Sequence, residues 1–126
     1  MGLSYTNLTL KNELKGLAVD ISALVDTGAL FMCVPESVAA QLGFDTSEVQ
    51  TRVVTLADGS TRLVPVIRPV TIEFENRSYM TEALVLGDEP LIGCIPMEAM
   101  DVIIDPRSQK MIVNPAHPNF PVAHVK

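Results

Sequence analysis

One stretch of the chain combines residue types suited to acid–base chemistry. Ala23-Leu24-Val25-Asp26-Thr27-Gly28-Ala29 sets a carboxylate at the end of an apolar run, followed at once by a hydroxyl and a glycine. Ionising an acid in such surroundings is costly unless backbone N–H groups point at it. A glycine two positions on frees the chain to bring those donors round. The same residues also suit an Asx-turn that merely closes a strand. Taken alone, this stretch leaves both uses open.

The elements around it read as β. Val, Ile, Leu and Thr recur in short runs broken by Gly, Pro, Asn and Asp. Tyr5 to Leu10 and Leu14 to Val25 read as strands, the second carrying Asp26 at its end. Leu30 to Val34 resumes extended structure. Pro35 then opens a helix, Glu36 to Leu42, which Gly43 closes. Thr51 to Leu56 and Thr61 to Val66 flank Ala57-Asp58-Gly59-Ser60, and an Asp-Gly pair between β-branched runs is a strong hairpin signal. Thr71 to Phe74 and Tyr79 to Leu86 form a second hairpin around Asn76-Arg77. Leu91-Ile92-Gly93 precedes a short helix from about Pro96 to Met100. Val102 to Ile104 and Lys110 to Val113 make a last hairpin, and the tail from about 115 to 126 is Pro-rich and expected to wander over the surface. The fold class expected is all-β, a closed barrel or sandwich with one or two short helices, counted as a single domain over residues 1–126.

The order of these parts resembles the retropepsin-like (retroviral-type) single-domain aspartic proteases. The resemblance runs from about Tyr5 to Asn114. Apolar-Asp-Thr-Gly-Ala is followed by a helix, an Asp-Gly-tipped hairpin, and Leu91-Ile92-Gly93 opening a C-terminal helix. It implies Asp26, Thr27 and Gly28 as the catalytic loop, with the hydroxyl of Thr27 turned toward a partner chain. It also implies substrate contacts at Ala29 and at Ala57, Asp58 and Gly59, the tip of a hairpin that would act as a flap. Peptide hydrolysis by this route uses two carboxylates sharing one proton. The sequence has one Asp-Thr-Gly, so the resemblance implies a homodimer in which Asp26 meets Asp26. Asp45, in Phe44-Asp45-Thr46-Ser47, is the other acid weighed for that role; it lacks the glycine and better suits capping a turn. The function implied is an aspartic endopeptidase acting on extended peptides with largely apolar side chains. The alternative is a catalytically silent, protease-like module that dimerises or binds peptides.

The sequence departs from the retroviral pattern at two linked places. Leu30 follows Ala29 where an acidic residue is usual nearby, and Cys94 follows Gly93 where an Arg is usual. Both partners of an interface ion pair are absent together, which implies a different interface.

Composition narrows the partners. Nine Lys and Arg stand against fifteen Asp and Glu, a net charge of −6. Neither nucleic acid nor an anionic membrane is an expected partner of so acidic a chain. Two cysteines, Cys33 and Cys94, are too few for a disulfide scaffold or a structural zinc site. They read as buried free thiols. His117 and His124 sit in the tail apart from any carboxylate cluster, so neither a metal nor another cofactor is expected. Met1 to Asp20 holds no basic segment leading into an apolar run, and a cytoplasmic location is expected.

Overall fold

Strand β1 (Tyr5–Asn12) shows how the pattern becomes structure. Thr6, Leu8, Leu10 and Asn12 are buried while Tyr5 and Asn7 are exposed, the period-two alternation of a sheet with one inner face. The computed structural model describes residues 3–125. In it β1 pairs antiparallel with β2 (Leu17–Val25), from Tyr5 opposite Leu24 to Asn12 opposite Leu17. The turn between them takes in Leu14 and Lys15, which the sequence reading placed in the strand. Gly16 supplies the left-handed residue there, at φ +65°.

After β2 come β3 (Met32–Val34), α1 (Glu36–Gln41), β4 (Thr51–Thr55) and β5 (Thr61–Phe74). Then follow β6 (Arg77–Val85), β7 (Leu91–Ile92), α2 (Cys94–Met100), β8 (Val102–Ile104) and β9 (Met111–Val113). Seven strands form one sheet in the order β1-β2-β7-β3-β6-β5-β4, and β1 also pairs with β5 through Thr9 opposite Glu73. That extra pairing joins the two sides of the sheet into a ring. Strands β8 and β9 form a separate hairpin.

Strand β5 corrects the sequence reading, which ended one strand at Val66 and began another at Thr71. It runs unbroken for 14 residues. A register shift between Ile67 and Val70 takes up Pro69, so the proline bends the strand without ending it. Helix α2 begins at Cys94, ahead of the expected start near Pro96. Its first two N–H groups are met from outside the helix, by Ala29 O at 2.9 Å and Leu30 O at 3.0 Å.

Leu10, Met32, Ile67, Val70, Ile72, Ala83 and Ile92 fill the barrel, and Leu42, Met97 and Met100 cover it from the helices and their ends. A smaller cluster of Val64, Val66 and Leu84 lies apart, with Phe31, Cys33 and Val54 packed on it.

The tail is tied down rather than wandering. Arg77 is 1% exposed, and its Nη2 donates to the carbonyl of His117 at 2.6 Å. Asp101, in the left-handed region at φ 55°, accepts from Asn114 Nδ2 at 3.0 Å and from the Val122 N–H at 2.9 Å. His117 Nδ1 lies 2.6 Å from the same carboxylate. His117 thus meets a single carboxylate, Asp101, which reaches it from the end of α2. Among the described residues no group of three His, Cys, Asp or Glu side chains is placed to hold a metal.

The bonds from Asn114 and Val122, aided by His117 and opposed by desolvation, hold Asp101 down to a pKa of about 2. A depressed carboxylate stabilises above its unfolded value, near 4, and the gain is lost as pH falls toward 2. The clasp therefore persists through mildly acidic conditions. Arg77→Ala removes its buried arm and leaves a cavity, so urea unfolding should register a loss of about 3 kcal/mol or more.

Candidate active site

Strand β2 delivers Asp26 to a crossing in the fold. Strand β7 lies between β2 and β3, parallel to β2 (Leu24 opposite Leu91, Val25 opposite Ile92) and antiparallel to β3 (Cys33 opposite Leu91). The chain leaving β2 must therefore pass over the end of β7 to reach β3. The segment that does so is Asp26 to Phe31.

Backbone bonds lock that passage. The Asp26 N–H donates to Ile92 O at 3.1 Å and the Ala29 N–H to Asp26 O at 3.1 Å. Ala29 and Leu30 carbonyls accept from the start of α2, as described above. These main-chain bonds stand at Leu30 and Cys94, the two positions where the sequence departs from the retroviral ion pair. The loop is held to the helix without it.

Gly93 makes the crossing possible. A Cβ built there would sit 2.6 Å from the backbone carbon of Leu30 and 2.7 Å from Phe31 N and O. Only a residue without a side chain lets the two segments approach so closely.

Asp26 itself is half-buried, and its Oδ1 accepts the Gly28 N–H at 2.9 Å. The donor expected from the sequence is thus present, though by a different route. Gly28 is not among the residues with positive φ. What matters is space, since a Cβ at Gly28 would come within 3.2 Å of Asp26 Oδ1. Thr27 is exposed at the apex of the loop.

Beside the loop lies a groove of about 490 Å³ that includes Gly28, Ala29 and Phe31, strand β4, and Leu84 and Leu86. Cys33 lines it as well, and its thiol is pushed up by burial and then by the nearby charge of Asp26. Cys33 and Cys94 are both free and half-buried.

The β4–β5 hairpin rises along this groove. Its tip, Ala57 to Ser60, is exposed, with Gly59 at φ +86°. The Leu56 N–H donates to Ser60 O at 2.8 Å, and Asp58 Oδ1 accepts the Ser60 N–H at 2.9 Å. The Ser60 hydroxyl, then its N–H, keep Asp58 below the usual carboxylate range. The Asp58 side chain is therefore committed to its own turn. Asp45 is committed in the same way, to the Ser47 hydroxyl at 2.6 Å and N–H at 3.0 Å. It is exposed, and hydroxyl and amide together lower its pKa.

A carboxylate on a locked loop, beside an apolar groove bordered by a hairpin, is an arrangement suited to peptide hydrolysis. The aspartyl protease family profile matches residues 10–99. The chain belongs to the aspartyl protease family.

Solved structures agree on the fold. A retropepsin-like aspartic protease from Rickettsia conorii is similar at TM-score 0.57 and 21% identity, with 83% of this chain and 90% of that one covered. The retroviral protease-like domain of Ddi1 from Leishmania major is similar at TM-score 0.64 and 18% identity, covering 91% and 90%. EIAV protease complexed with the inhibitor HBY-793 gives TM-score 0.59 at 19% identity, covering 78% and 88%. The retropepsin-like all-β fold follows from these likenesses. No curated relative matches the chain by sequence. Among the described residues no helix is long and apolar enough to cross a membrane.

The sequence reading missed Arg52 and Phe31, which meet at the groove with the guanidinium carbon 5.8 Å from the ring centroid. Nothing local marks them, because an Arg on an exposed strand is ordinary.

Proposed function

We propose that this aspartyl protease family member is a homodimeric endopeptidase, its reaction centre made by Asp26 from each of two copies. The observation that carries this reading is the solitary Asp26, half-exposed on a backbone-locked loop, with one oxygen taken by the Gly28 N–H. Its other oxygen is then the one open to a water or to a second carboxylate.

Two carboxylates held close cannot both ionise easily, so they share one proton. The ionised member takes a proton from a bound water, whose oxygen attacks the carbonyl carbon of the peptide bond. The protonated member donates to the carbonyl oxygen. The tetrahedral intermediate then collapses, the C–N bond breaks, and the amine leaves with a proton from the pair. Water is the nucleophile, and the route calls on no cofactor.

In this reading Thr27 ties the two loops together across the two-fold axis. Gly28 and Ala29 border the substrate, and the tip at Ala57, Asp58 and Gly59 closes over it as a flap. The substrate is an extended peptide. The compartment is a reducing cytoplasm, in which Cys33 and Cys94 remain thiols.

Mixing tests the shared site. Wild-type chain is combined with an excess of Asp26→Asn chain, at concentrations where sedimentation shows dimer, and hydrolysis of a quenched peptide library is followed. With a ninefold excess, activity should fall to about one-tenth of that expected for independent chains, because most wild-type copies then sit in mixed dimers. Activity proportional to the wild-type chain alone overturns the shared centre. A dimer of wild-type chains that cleaves nothing from acid to neutral pH favours a peptide-binding module.

A further inference from the structure

Arg52 is the only charged residue lining the groove beside Asp26 among the described residues. The rest of the lining is apolar or small, with Phe31, Leu84 and Leu86 among its larger side chains. The guanidinium stands over the Phe31 ring. Its Nη2 contacts Glu82 Oε1 at 2.8 Å, and the other oxygen of Glu82 contacts Arg68 Nη2 at 3.4 Å. Two cations thus divide one carboxylate, so Glu82 neutralises Arg52 only in part, and the other charge felt in the groove is that of Asp26, at Cys33.

The Arg52–Glu82 pair is also easily exchanged. The Arg52 and Glu82 side chains are 43% and 29% exposed, and a pair so open to water contributes about 1 kcal/mol at most. A second carboxylate could take the Arg52 fork at little cost, whereas a cation would meet repulsion. The guanidinium carbon lies 5.8 Å from the centroid of the Phe31 ring, a loose cation–π contact that leaves the fork free to meet a carboxylate.

We infer that Arg52 is a specificity-determining residue, and that the groove takes a side chain with an apolar stem and an acidic end, as in glutamate. This inference rests on the endopeptidase reading and refines it, since the lining otherwise points to purely apolar side chains. Glu82 acts as a positioning residue that tempers the charge of Arg52.

The test uses peptides that differ only in Glu, Gln or Lys at each position around the cleaved bond. At one position the wild-type chain should prefer Glu to Lys by about tenfold in kcat/KM, the discrimination expected of a partly exposed charge. Arg52→Gln should bring that ratio to within about twofold of unity, and Glu82→Gln should raise it severalfold. A merely structural Arg52 would lower both rates together, and an unchanged ratio in Arg52→Gln overturns the inference. Fluorescence anisotropy with the same labelled peptides on Asp26→Asn and on Asp26→Asn/Arg52→Gln reads the preference without turnover. A Glu preference in binding that disappears with Arg52, when the wild-type chain itself cleaves none of the peptides, upholds the inference while the endopeptidase reading fails. Equal binding of Glu and Lys peptides to Asp26→Asn overturns it.

Discussion

Asp26→Asn should abolish peptide hydrolysis while leaving the fold in place. Asparagine keeps the size of aspartate, and its Oδ1 can still accept the Gly28 N–H that holds the wild-type carboxylate. The backbone bonds of the loop, from the Asp26 N–H to Ile92 O and from the Ala29 N–H to Asp26 O, involve no side chain and persist. What disappears is the ability to take or give a proton, in both copies of the proposed dimer at once. General acid–base groups contribute roughly 10²- to 10⁴-fold each, so a loss of kcat/KM of about 10⁴-fold or more is expected. Thermal unfolding and sedimentation should match the wild type. Equal cleavage by variant and wild type would remove Asp26 from the mechanism. A variant that fails to fold would instead mean that the carboxylate itself supports the loop.

The second large effect is expected at Gly93, which packs against the backbone of the loop that follows Asp26. A Cβ there would lie 2.6–2.7 Å from backbone atoms of Leu30 and Phe31. Main-chain atoms cannot rotate aside as a side-chain tip can, so Gly93→Ala must lift the whole Asp26 loop. The Ala29 and Leu30 bonds to α2 are the first to break. Overpacking on this scale costs about 3 kcal/mol, and melting should drop by roughly 10 °C, with activity falling further because the carboxylate is displaced. Gly59→Ala is the control. Its φ of +86° makes alanine strained, yet nothing lies within 4 Å of the added carbon. That variant should lose only about 1 kcal/mol. Calorimetry on the pair separates crowding from backbone strain, and a Gly93→Ala protein as stable as Gly59→Ala would contradict the packing account.

Much of the fold was legible because its signals are local. The Asp58-Gly59 hairpin, helix α1 with Gly43 after it at φ +81°, and the β8–β9 hairpin each rest on residues a few positions apart. Errors arose where a distant partner decides. Val66 and Thr71 looked like the end of one strand and the start of another, but pairing with β6 on both sides of Pro69 carries β5 through. Cys94 looked too early for a helix start until Ala29 supplied an acceptor for its N–H. The contact of His117 with Asp101 was not legible either, because Asp101 is 16 positions away and reaches it only through the turn at the end of α2. At the candidate site, the Asp26-Thr27-Gly28 loop was singled out from its residue types. Arg52 was not, since its meaning comes from Phe31 and Glu82, on other elements.

By itself the sequence determined the strand-rich class, the turn chemistry and the position of one acid, Asp26, at a strand end, since each depends on neighbours within a few residues. Tertiary structure decided that β7 enters between β2 and β3, which brings Gly93 under the Asp26 loop. It also decided that β1 closes on β5, and that a single guanidinium stands in an otherwise uncharged groove. Those pairings join segments tens of residues apart, and their geometry comes from filling one core rather than from any local pattern.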